Sequence, residues 1–382
     1  MLNLANILDY STKEYAEKTA LVFGDNRFSY TQLNAVANQV ANGLAALGIG
    51  KGDKVALSCP NLPFFPMVYY GILKTGAVVV PLNVLLKGRE IAYHLQDSEA
   101  KAYFCFQGTP ELPMAEEGWA GFNEVDACGH FWVMTADPAA ASPIEGTATL
   151  GQLIGSQSPV FETAVTDFDD TAVILYTSGT TGFPKGAELS HASMTMNALG
   201  SRDLLVLTQE DVHLVVLPLF HSFGQTVQMN AGFYQQATLS LLARFAPDDA
   251  LAIMERDNVT FFAGVPTMYW AILNYPEADK YNLEKIAENM IMAVSGGSAL
   301  PVEVLHAFGE KFSVKILEGY GLSETSPVAT FNRVDKPSKP GSVGVSIWGV
   351  DVRVVDINDE DVPIGDMGEI LIRGHNIMKG YY

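Results

Sequence analysis

A run of glycine and hydroxyl residues followed by a lysine interrupts an otherwise apolar part of the chain. The strand-like sequence TAVILY leads into this run, whose members are Thr177, Ser178, Gly179, Thr180, Thr181 and Gly182. Glycines let backbone N–H groups approach a phosphate closely, hydroxyls add donors, and a lysine such as Lys185 supplies a point charge. The segment therefore predicts a phosphate-binding loop, with Ser190 as the N-cap of the helix that follows Lys185.

Two other interpretations of this segment are weaker. A Walker A loop has the pattern Gly-x4-Gly-Lys-Ser/Thr, and here Gly186 rather than a hydroxyl residue follows the lysine. A flexible Gly/Ser/Thr linker rarely interrupts two strongly apolar elements with an embedded Pro-Lys-Gly sequence. We therefore expect a phosphate-binding loop of another kind.

The overall charge opposes anionic partners. The 382 residues carry 23 Lys and Arg against 43 Asp and Glu, a formal net charge of -20, which disfavours binding to nucleic acid or anionic membranes. A bound anion therefore needs local donors and a metal ion. The cysteines, Cys59, Cys105 and Cys128, have neither disulfide nor metal-ligand spacing. With no signal peptide and no membrane-spanning run, the sequence predicts a cytoplasmic protein.

Alternating helical and strand-like segments predict an α/β fold. A helix over residues 31 to 47, with Thr31 as its N-cap, precedes the strand KVALSCP, the helix FFPMVYYGILKTG and the strand AVVVPLN. This order indicates largely parallel sheets flanked by helices. We predict a double α/β core of two subdomains, partly interleaved in sequence, over residues 1–330, and a small β subdomain, barrel-like, over residues 331–382.

Several segments carry a resemblance to a known family. The sequence YTSGTTGFPKG resembles the phosphate-loop signature of the acyl-adenylate-forming enzymes, and LPLFHSFG, GYGLSET and GEILIRGHNIMKGYY follow in that family's order. The sequences FSYTQLN and LKTGAVVVPLN extend the resemblance over essentially the whole chain. The chain is most similar to the N-terminal domain of a fatty-acyl-CoA synthetase, and the fold above is the one that this family implies.

The resemblance implies a ligase that works in two steps. A carboxylic acid attacks the α-phosphorus of ATP to give acyl-adenylate and pyrophosphate, and CoA then takes the acyl group, with Mg²⁺ as the cofactor. Amino-acid-activating relatives usually carry an aspartate soon after the phenylalanine that corresponds to Phe220, whereas here His, Ser and Phe follow it. A medium- or long-chain fatty acid is therefore the expected substrate, and an aryl acid is an alternative.

The resemblance also implies roles for individual residues. The predicted catalytic residues are His221, Lys185 and Glu324, and the predicted metal ligands are Thr177 and Glu324. The predicted ATP-binding residues are Thr177, Ser178, Gly179, Thr180, Thr181, Lys185, Gly296, Gly297, Ser298, Glu318, Gly319, Tyr320, Gly321 and Ser323. The predicted acyl-binding residues are Phe220, His221, Phe223, Gly264, Val265 and Gly297. The acyl pocket is also expected to take its walls from the sequences FFAGVPTMYW (261–270) and SPVATF (326–331), with Gly264 and Gly297 leaving room for a chain. Without the resemblance, His221 would be interpreted as a core histidine and the acyl residues equally well as core.

The sequence stops before segments that the acyl-adenylate-forming enzymes use. It ends at Tyr382, before the segment in which relatives carry a ribose-binding aspartate, a hinge and a domain with a catalytic lysine. We therefore expect a truncated enzyme of impaired activity, with a module that binds nucleotide or acyl-adenylate without turnover as the alternative. A kinase is disfavoured because HRD and DFG sequences are absent. If the protein forms an oligomer, we expect a homodimer.

Overall fold

The computed structural model describes residues 2–178, 182–337 and 339–382. Its strands, in chain order, are β1 (Thr19–Phe23), β2 (Asn26–Ser29), β3 (Lys54–Ser58), β4 (Val78–Pro81), β5 (Ala100–Phe106), β6 (His130–Met134), β7 (Ala148–Thr149), β8 (Thr171–Thr177), β9 (Lys185–Ser190), β10 (Val212–Val215), β11 (Thr238–Leu241), β12 (Phe261–Gly264), β13 (Met292–Ser295), β14 (Ile316–Gly321), β15 (Val328–Phe331), β16 (Val345–Ser346), β17 (Val350–Val355) and β18 (Glu369–Gly374).

Helices alternate with many of these strands along the chain. They are α1 (Asn6–Glu14), α2 (Tyr30–Ala46), α3 (Phe64–Lys74), α4 (Gly88–Asp97), α5 (Met114–Phe122), α6 (Leu150–Ile154), α7 (His191–Leu205), α8 (Ala231–Tyr234), α9 (Pro247–Asp257), α10 (Pro266–Leu273), α11 (Leu283–Asn289) and α12 (Val302–Lys311). A π-helical segment (Phe223–Asn230) runs into α8, and short 3₁₀ helices cover Ala278–Lys280 and Ser323–Thr325.

Two large sheets organise these elements. The nine-stranded sheet has the order β16-β15-β14-β13-β12-β10-β11-β1-β2, and the seven-stranded sheet has the order β7-β6-β5-β3-β4-β8-β9. Neighbours are parallel through the middle of both sheets and antiparallel at β1/β2, β14/β15, β15/β16 and β8/β9. The predicted α/β class with largely parallel sheets is therefore confirmed.

The chain crosses between the two sheets more than once. Strand β1 pairs with β11 in parallel, so the first strand of the chain lies in the sheet that is otherwise built from the second half. Strand β16 belongs to the nine-stranded sheet although it lies beyond residue 330, while β17 and β18 form a separate antiparallel pair. The division into 1–330 and 331–382 stays a prediction.

Helices fill the space between the sheets. One buried cluster joins Val40 on α2 and Tyr70 on α3 to Val173 on β8 and Leu239 on β11. The outer face of the nine-stranded sheet is covered by α9 to α12 and that of the seven-stranded sheet by α4 and α5. Since burying one large apolar side chain contributes about 1.5–3 kcal/mol, these three layers of contact fix how the sheets lie.

Local signals explain two helix starts. The N-cap of α2 is Ser29 rather than the predicted Thr31. The Ser29 hydroxyl accepts from Gln32 N, and Gln32 Oε1 accepts from Ser29 N. This reciprocal pair satisfies two backbone donors, and so it outcompetes a single cap at Thr31. The predicted cap of α7 at Ser190 is confirmed, with Ser193 N as its donor.

Between the phosphate-loop sequence and α7, the chain forms a strand, β9. Strand β9 pairs antiparallel with β8, in a register that places Thr177 opposite Lys185. The predicted helix capped by Ser190 is present, but β9, which the sequence analysis did not predict, precedes it and forms a hairpin with β8. Thr177 and Lys185 consequently stand at the two ends of one loop.

The most apolar run of the sequence folds into α3 and β4. Within it, Lys74 is fully buried and pairs with Asp9, whose other oxygen accepts from Thr163 at 2.6 Å. Burial lowers the pKa of Lys74, and the charge of Asp9 opposes that effect. In the parts of the chain that the structure describes, no helix combines the length and the apolar character needed to cross a membrane.

A buried histidine makes the stability depend on pH. His213 on β10 is fully buried, and desolvation lowers its pKa to about 4. The unfolded chain takes up this proton below about pH 6.5, whereas the folded chain does so only near its own lower pKa, so stability is present above pH 6.5 and is lost as the pH falls towards 4.

We predict that His213→Phe makes the protein less sensitive to acid. Between pH 7 and pH 4.5, the loss of unfolding free energy should be about 2 kcal/mol smaller than in the wild type. Urea denaturation at both pH values measures it. His306→Phe, which replaces an exposed histidine on α12, serves as the control and should keep the wild-type loss. An unchanged loss in the His213 variant would contradict the prediction.

Candidate nucleotide and acyl site

A cavity lies where the two large sheets meet. It has a volume of about 300 Å³, and its wall contains residues at or just beyond the carboxyl ends of β8, β13 and β14. In open α/β sheets, ligands bind in crevices at such carboxyl ends. The residues that line the cavity are Thr177, His221, Ser222, Phe223, Ser295, Gly296, Gly297, Gly319, Tyr320, Gly321, Leu322, Ser323, Glu324, Pro327, Val328 and Phe331.

Many of the predicted site residues meet in this cavity. Those that line it are Thr177, His221, Phe223, Gly296, Gly297, Gly319, Tyr320, Gly321, Ser323 and Glu324. Those that the structure places elsewhere than in its wall are Ser178, Lys185, Phe220, Gly264, Val265, Ser298 and Glu318. Gly179, Thr180 and Thr181 lie outside the described residues. The roles assigned to all these residues stay predictions.

A polar contact in the cavity wall joins the end of β8 to the 3₁₀ helix that follows β14. Thr177, the last residue of β8, donates from Oγ1 to Glu324 Oε1 over 3.3 Å. Tyr381 donates from its phenol to the same oxygen over 2.9 Å. The backbone of Glu324 is also held, because its carbonyl accepts from Met378 N at 2.9 Å. The carboxylate is thus oriented by two parts of the chain, the end of β8 and the segment 378–381, and the second of these also holds the backbone of Glu324.

The donor set around Glu324 fits a magnesium ion that arrives with a polyphosphate. Mg²⁺ in proteins is usually bound through one or two carboxylates plus the substrate phosphates. Glu324 supplies one carboxylate, and the hydroxyl of Thr177 keeps lone pairs for a metal while it donates its proton to Glu324. With such an ion bound, these two side chains would hold it, and the ion would supply positive charge next to the phosphates.

Lys185 stands at the rim rather than in the wall. It is the first residue of β9, and its Nζ lies 5.3 Å from the centre of the Tyr381 ring. A cation at this distance over an aromatic ring is attracted by the ring face. Tyr381 is therefore a common neighbour of Lys185, through its ring, and of Glu324, through its hydroxyl.

The loop that carries His221 is fixed by Asn61. The amide of Asn61 donates to Leu217 O at 3.0 Å and accepts from Leu219 N at 3.0 Å, which ties the loop to the turn between β3 and α3. The loop then enters the π-helical segment, where Phe223 N donates to His221 Nδ1 over 3.2 Å. The imidazole is thereby placed at the cavity.

The electrostatic state of His221 follows from this geometry. The ring lines the cavity, and desolvation by the surrounding protein lowers its pKa, which favours the neutral form. Since Nδ1 accepts a hydrogen bond, the neutral ring carries its proton on Nε2. His221 can therefore donate a hydrogen bond from Nε2 to an oxygen of a ligand.

Two glycines of the wall are required by packing alone. A Cβ atom on Gly319 would lie 2.4 Å from Phe331 Cδ2, and one on Gly321 would lie 1.9 Å from the carbonyl oxygen of Pro327. Gly296 is close to Phe223, with 3.0 Å between a built Cβ and Cε1. The glycines bring β14 against β15, and that packing forms the apolar side of the cavity.

The acyl region in the structure differs in part from the one that the sequence predicts. The interpretation that Gly264 leaves room for a chain is wrong on its Cβ side, because a Cβ there would lie 2.9 Å from Phe262 Cζ and 3.4 Å from Tyr269 Cε2. Phe220 packs against the buried cluster between the sheets. The apolar part of the cavity is made by Phe223, Val328 and Phe331, which belong to the predicted acyl walls.

Sequence reasoning missed a few residues at this site. Ser222 and Leu322 line the cavity, and each stands next to a residue that was assigned, so adjacency in the motifs was the available signal. Ser222 Oγ also lies 3.5 Å from Ser323 Oγ, which links the His221 loop to the segment after β14. Tyr381 belongs to a quoted motif, but the sequence gives no sign that it reaches Glu324.

Comparison with known proteins finds relatives along nearly the whole chain. The chain is 29% identical to a long-chain-fatty-acid–CoA ligase of Bacillus subtilis (strain 168), over 99% of this chain and 70% of that one. It is 31% identical to a feruloyl-CoA synthase of an Amycolatopsis species, over 95% and 68% of the respective chains.

Solved structures show the same fold. The crystal structure of the anthranilate CoA ligase AuaEII with anthranoyl-AMP superimposes with a TM-score of 0.90 at 27% identity, covering 99% of this chain and 70% of that one. The family model described as AMP-binding enzyme matches residues 8–382. Given this match over nearly the whole chain, the protein belongs to the AMP-binding enzyme family.

Proposed function

We propose that this protein activates a carboxylic acid by adenylation. The carboxylate attacks the α-phosphorus of ATP, the bond between that phosphorus and the bridging oxygen breaks, and acyl-adenylate and pyrophosphate form. The thiol of CoA then attacks the acyl carbonyl, and AMP leaves as the thioester forms. The single observation that carries this proposal is the Thr177–Glu324 contact inside a cavity at the carboxyl ends of parallel strands. Supporting it, the relatives include CoA ligases for several carboxylic acids.

The protein's contribution to such a reaction is positioning and charge. Phosphoryl-type transfers need in-line orientation and neutralisation of phosphate charge more than covalent help. We assign Glu324 and Thr177 to the metal that accompanies ATP, and Lys185 with the loop 178–181 to the phosphates. Tyr320 is assigned to the adenine. Because the net charge of -20 repels polyphosphate, these local groups must outweigh the global field.

His221 is assigned to the acid. A neutral imidazole with its proton on Nε2 donates a hydrogen bond to a carboxylate oxygen without forming an ion pair, so it can orient the attacking group. The proximity of Phe223, Val328 and Phe331 supplies an apolar environment for the rest of the acid. The loop anchored by Asn61 keeps the imidazole at this place.

The proposed substrate is a medium- or long-chain fatty acid. Supporting it, no aspartate follows Phe220 to meet a substrate amine, and the fatty-acid ligase of Bacillus subtilis is among the relatives. An aryl acid is the second candidate, favoured by the aromatic rings of Phe223 and Phe331 in the wall, against which a flat ring could stack. A panel of acids distinguishes the two.

We predict that Glu324→Gln weakens Mg²⁺-ATP much more than an acyl-adenylate analogue. The variant removes the charge that would hold the metal, and the analogue lacks the pyrophosphate portion that needs it, so we expect about a tenfold loss for ATP only. Calorimetric titration of both ligands measures this. Glu99→Gln is the matched control, since Glu99 contacts Lys54 and Tyr382 outside the cavity wall. Equal losses for both ligands in Glu324→Gln would remove Glu324 from the metal site.

We predict that affinity rises with the chain length of an acyl-adenylate analogue. Each buried CH₂ should contribute about 0.8 kcal/mol until the apolar space ends. A competition series from the acetyl to the hexadecanoyl analogue, with a benzoyl analogue beside it, measures the trend. A flat series, or tighter binding of the benzoyl analogue than of every aliphatic one, would overturn the fatty-acid assignment while leaving adenylation intact.

The reaction itself has a direct readout. With Mg²⁺-ATP and a suitable acid, we expect exchange of labelled pyrophosphate into ATP that depends on the acid. Release of ADP instead would indicate a kinase-like or ATPase reaction. Tight, stoichiometric binding of acyl-adenylate with no exchange for any acid in the panel would identify a binding module rather than an enzyme.

A further inference from the structure

The segment Lys379–Tyr382 extends the seven-stranded sheet. Strand β9 is the edge of that sheet, and its outer side pairs with this segment in antiparallel fashion. Glu188 N donates to Gly380 O at 3.0 Å, Lys379 N donates to Glu188 O at 2.9 Å, and Tyr382 N donates to Gly186 O at 2.8 Å. Backbone pairing of this kind satisfies the open edge and fixes the register of the added segment.

The register decides what the two tyrosines touch. Successive side chains of an extended segment point to opposite faces, so Tyr381 and Tyr382 contact different groups. Tyr381 reaches Glu324 with its hydroxyl and Lys185 with its ring face. Tyr382 donates to Glu99 and lies under Lys54, whose Nζ is 4.8 Å from the ring centre. Only the first of the pair touches residues assigned to the phosphate and metal site.

We infer that Tyr381 is a positioning residue that sets Glu324 and Lys185 for Mg²⁺-ATP. This inference rests on the proposed function. Among the hydrogen bonds between described residues, those to the carboxylate of Glu324 both end on Oε1, one from Thr177 and one from Tyr381. Within the described residues, the carboxylate is therefore held through one oxygen, and Oε2 accepts no hydrogen bond that would compete with a cation.

The same side chain restrains the neighbouring cation. A lysine loses considerable side-chain entropy when it is fixed, and an aromatic face that already holds it reduces the part of that cost left for ligand binding. With Lys185 Nζ 5.3 Å from its ring centre, Tyr381 keeps the ammonium near the carboxylate that would share the polyphosphate. One tyrosine thereby couples the two charges of opposite sign at the site.

The test of this positioning role compares Tyr381→Phe with Tyr382→Phe. Calorimetry measures ATP with Mg²⁺ varied from limiting to saturating concentrations, and AMP in parallel as a ligand without the polyphosphate. For Tyr381→Phe, we expect ATP affinity at limiting Mg²⁺ to fall about tenfold, near the lower bound for loss of one hydrogen bond to a charged acceptor. AMP affinity should stay within about twofold of the wild type by the same reasoning.

The remaining variants make the result decisive. Tyr382→Phe should bind both nucleotides like the wild type, because its hydroxyl contacts Glu99. Tyr381→Leu also removes the ring under Lys185 and should weaken ATP further than Tyr381→Phe. The inference is overturned if Tyr381→Phe retains the wild-type dependence on Mg²⁺, if it loses ATP and AMP equally, or if Tyr382→Phe shows the same loss. A wild type that binds AMP but not Mg²⁺-ATP would instead overturn the proposed function.

Discussion

Parallel strands end at one edge of a sheet, and this constraint accounts for the place of the candidate site. Strand β8 delivers Thr177 at the carboxyl edge of the seven-stranded sheet, while β13 and β14 deliver Gly296 and Gly321 at the carboxyl edge of the nine-stranded sheet. Because the two edges face each other across the cavity, the Thr177–Glu324 contact can form although the residues are 147 positions apart. Everything that we assign to nucleotide and acid depends on this meeting of edges.

The meeting is maintained by the layer between the sheets. Helices α2 and α3 bury apolar side chains against both sheets, and polar contacts add specificity within that layer, such as Tyr70 OH to Asn230 Oδ1 at 2.7 Å. Asn61 extends this control to the loop of His221. A change in the packing of α3 would therefore move the imidazole of His221 as well as the sheets. The packing of the interior and the position of the site residues thus depend on each other.

Much of the fold could be predicted from the sequence because its signals are local. Apolar runs such as TAVILYT and FFAG mark strands, and Ser190 marks a helix start, since each depends on neighbours within a few residues. The lack of room beside Gly264 could not be anticipated, because only the tertiary structure shows that Phe262 and Tyr269 fill the space next to it. Tyr381 was missed for the same reason, as strand register between Lys379–Tyr382 and β9 is a nonlocal property.

The most direct test of the account is a crystal structure with Mn²⁺ and a nonhydrolysable ATP analogue. Anomalous scattering locates the metal independently of the model for the nucleotide. The account predicts a manganese peak bound by Glu324 and by phosphate oxygens, with the hydroxyl of Thr177 as a neighbour, and the adenine against Tyr320. A nucleotide bound away from the cavity between the sheets, or a metal held by phosphates with Glu324 turned away, would contradict it.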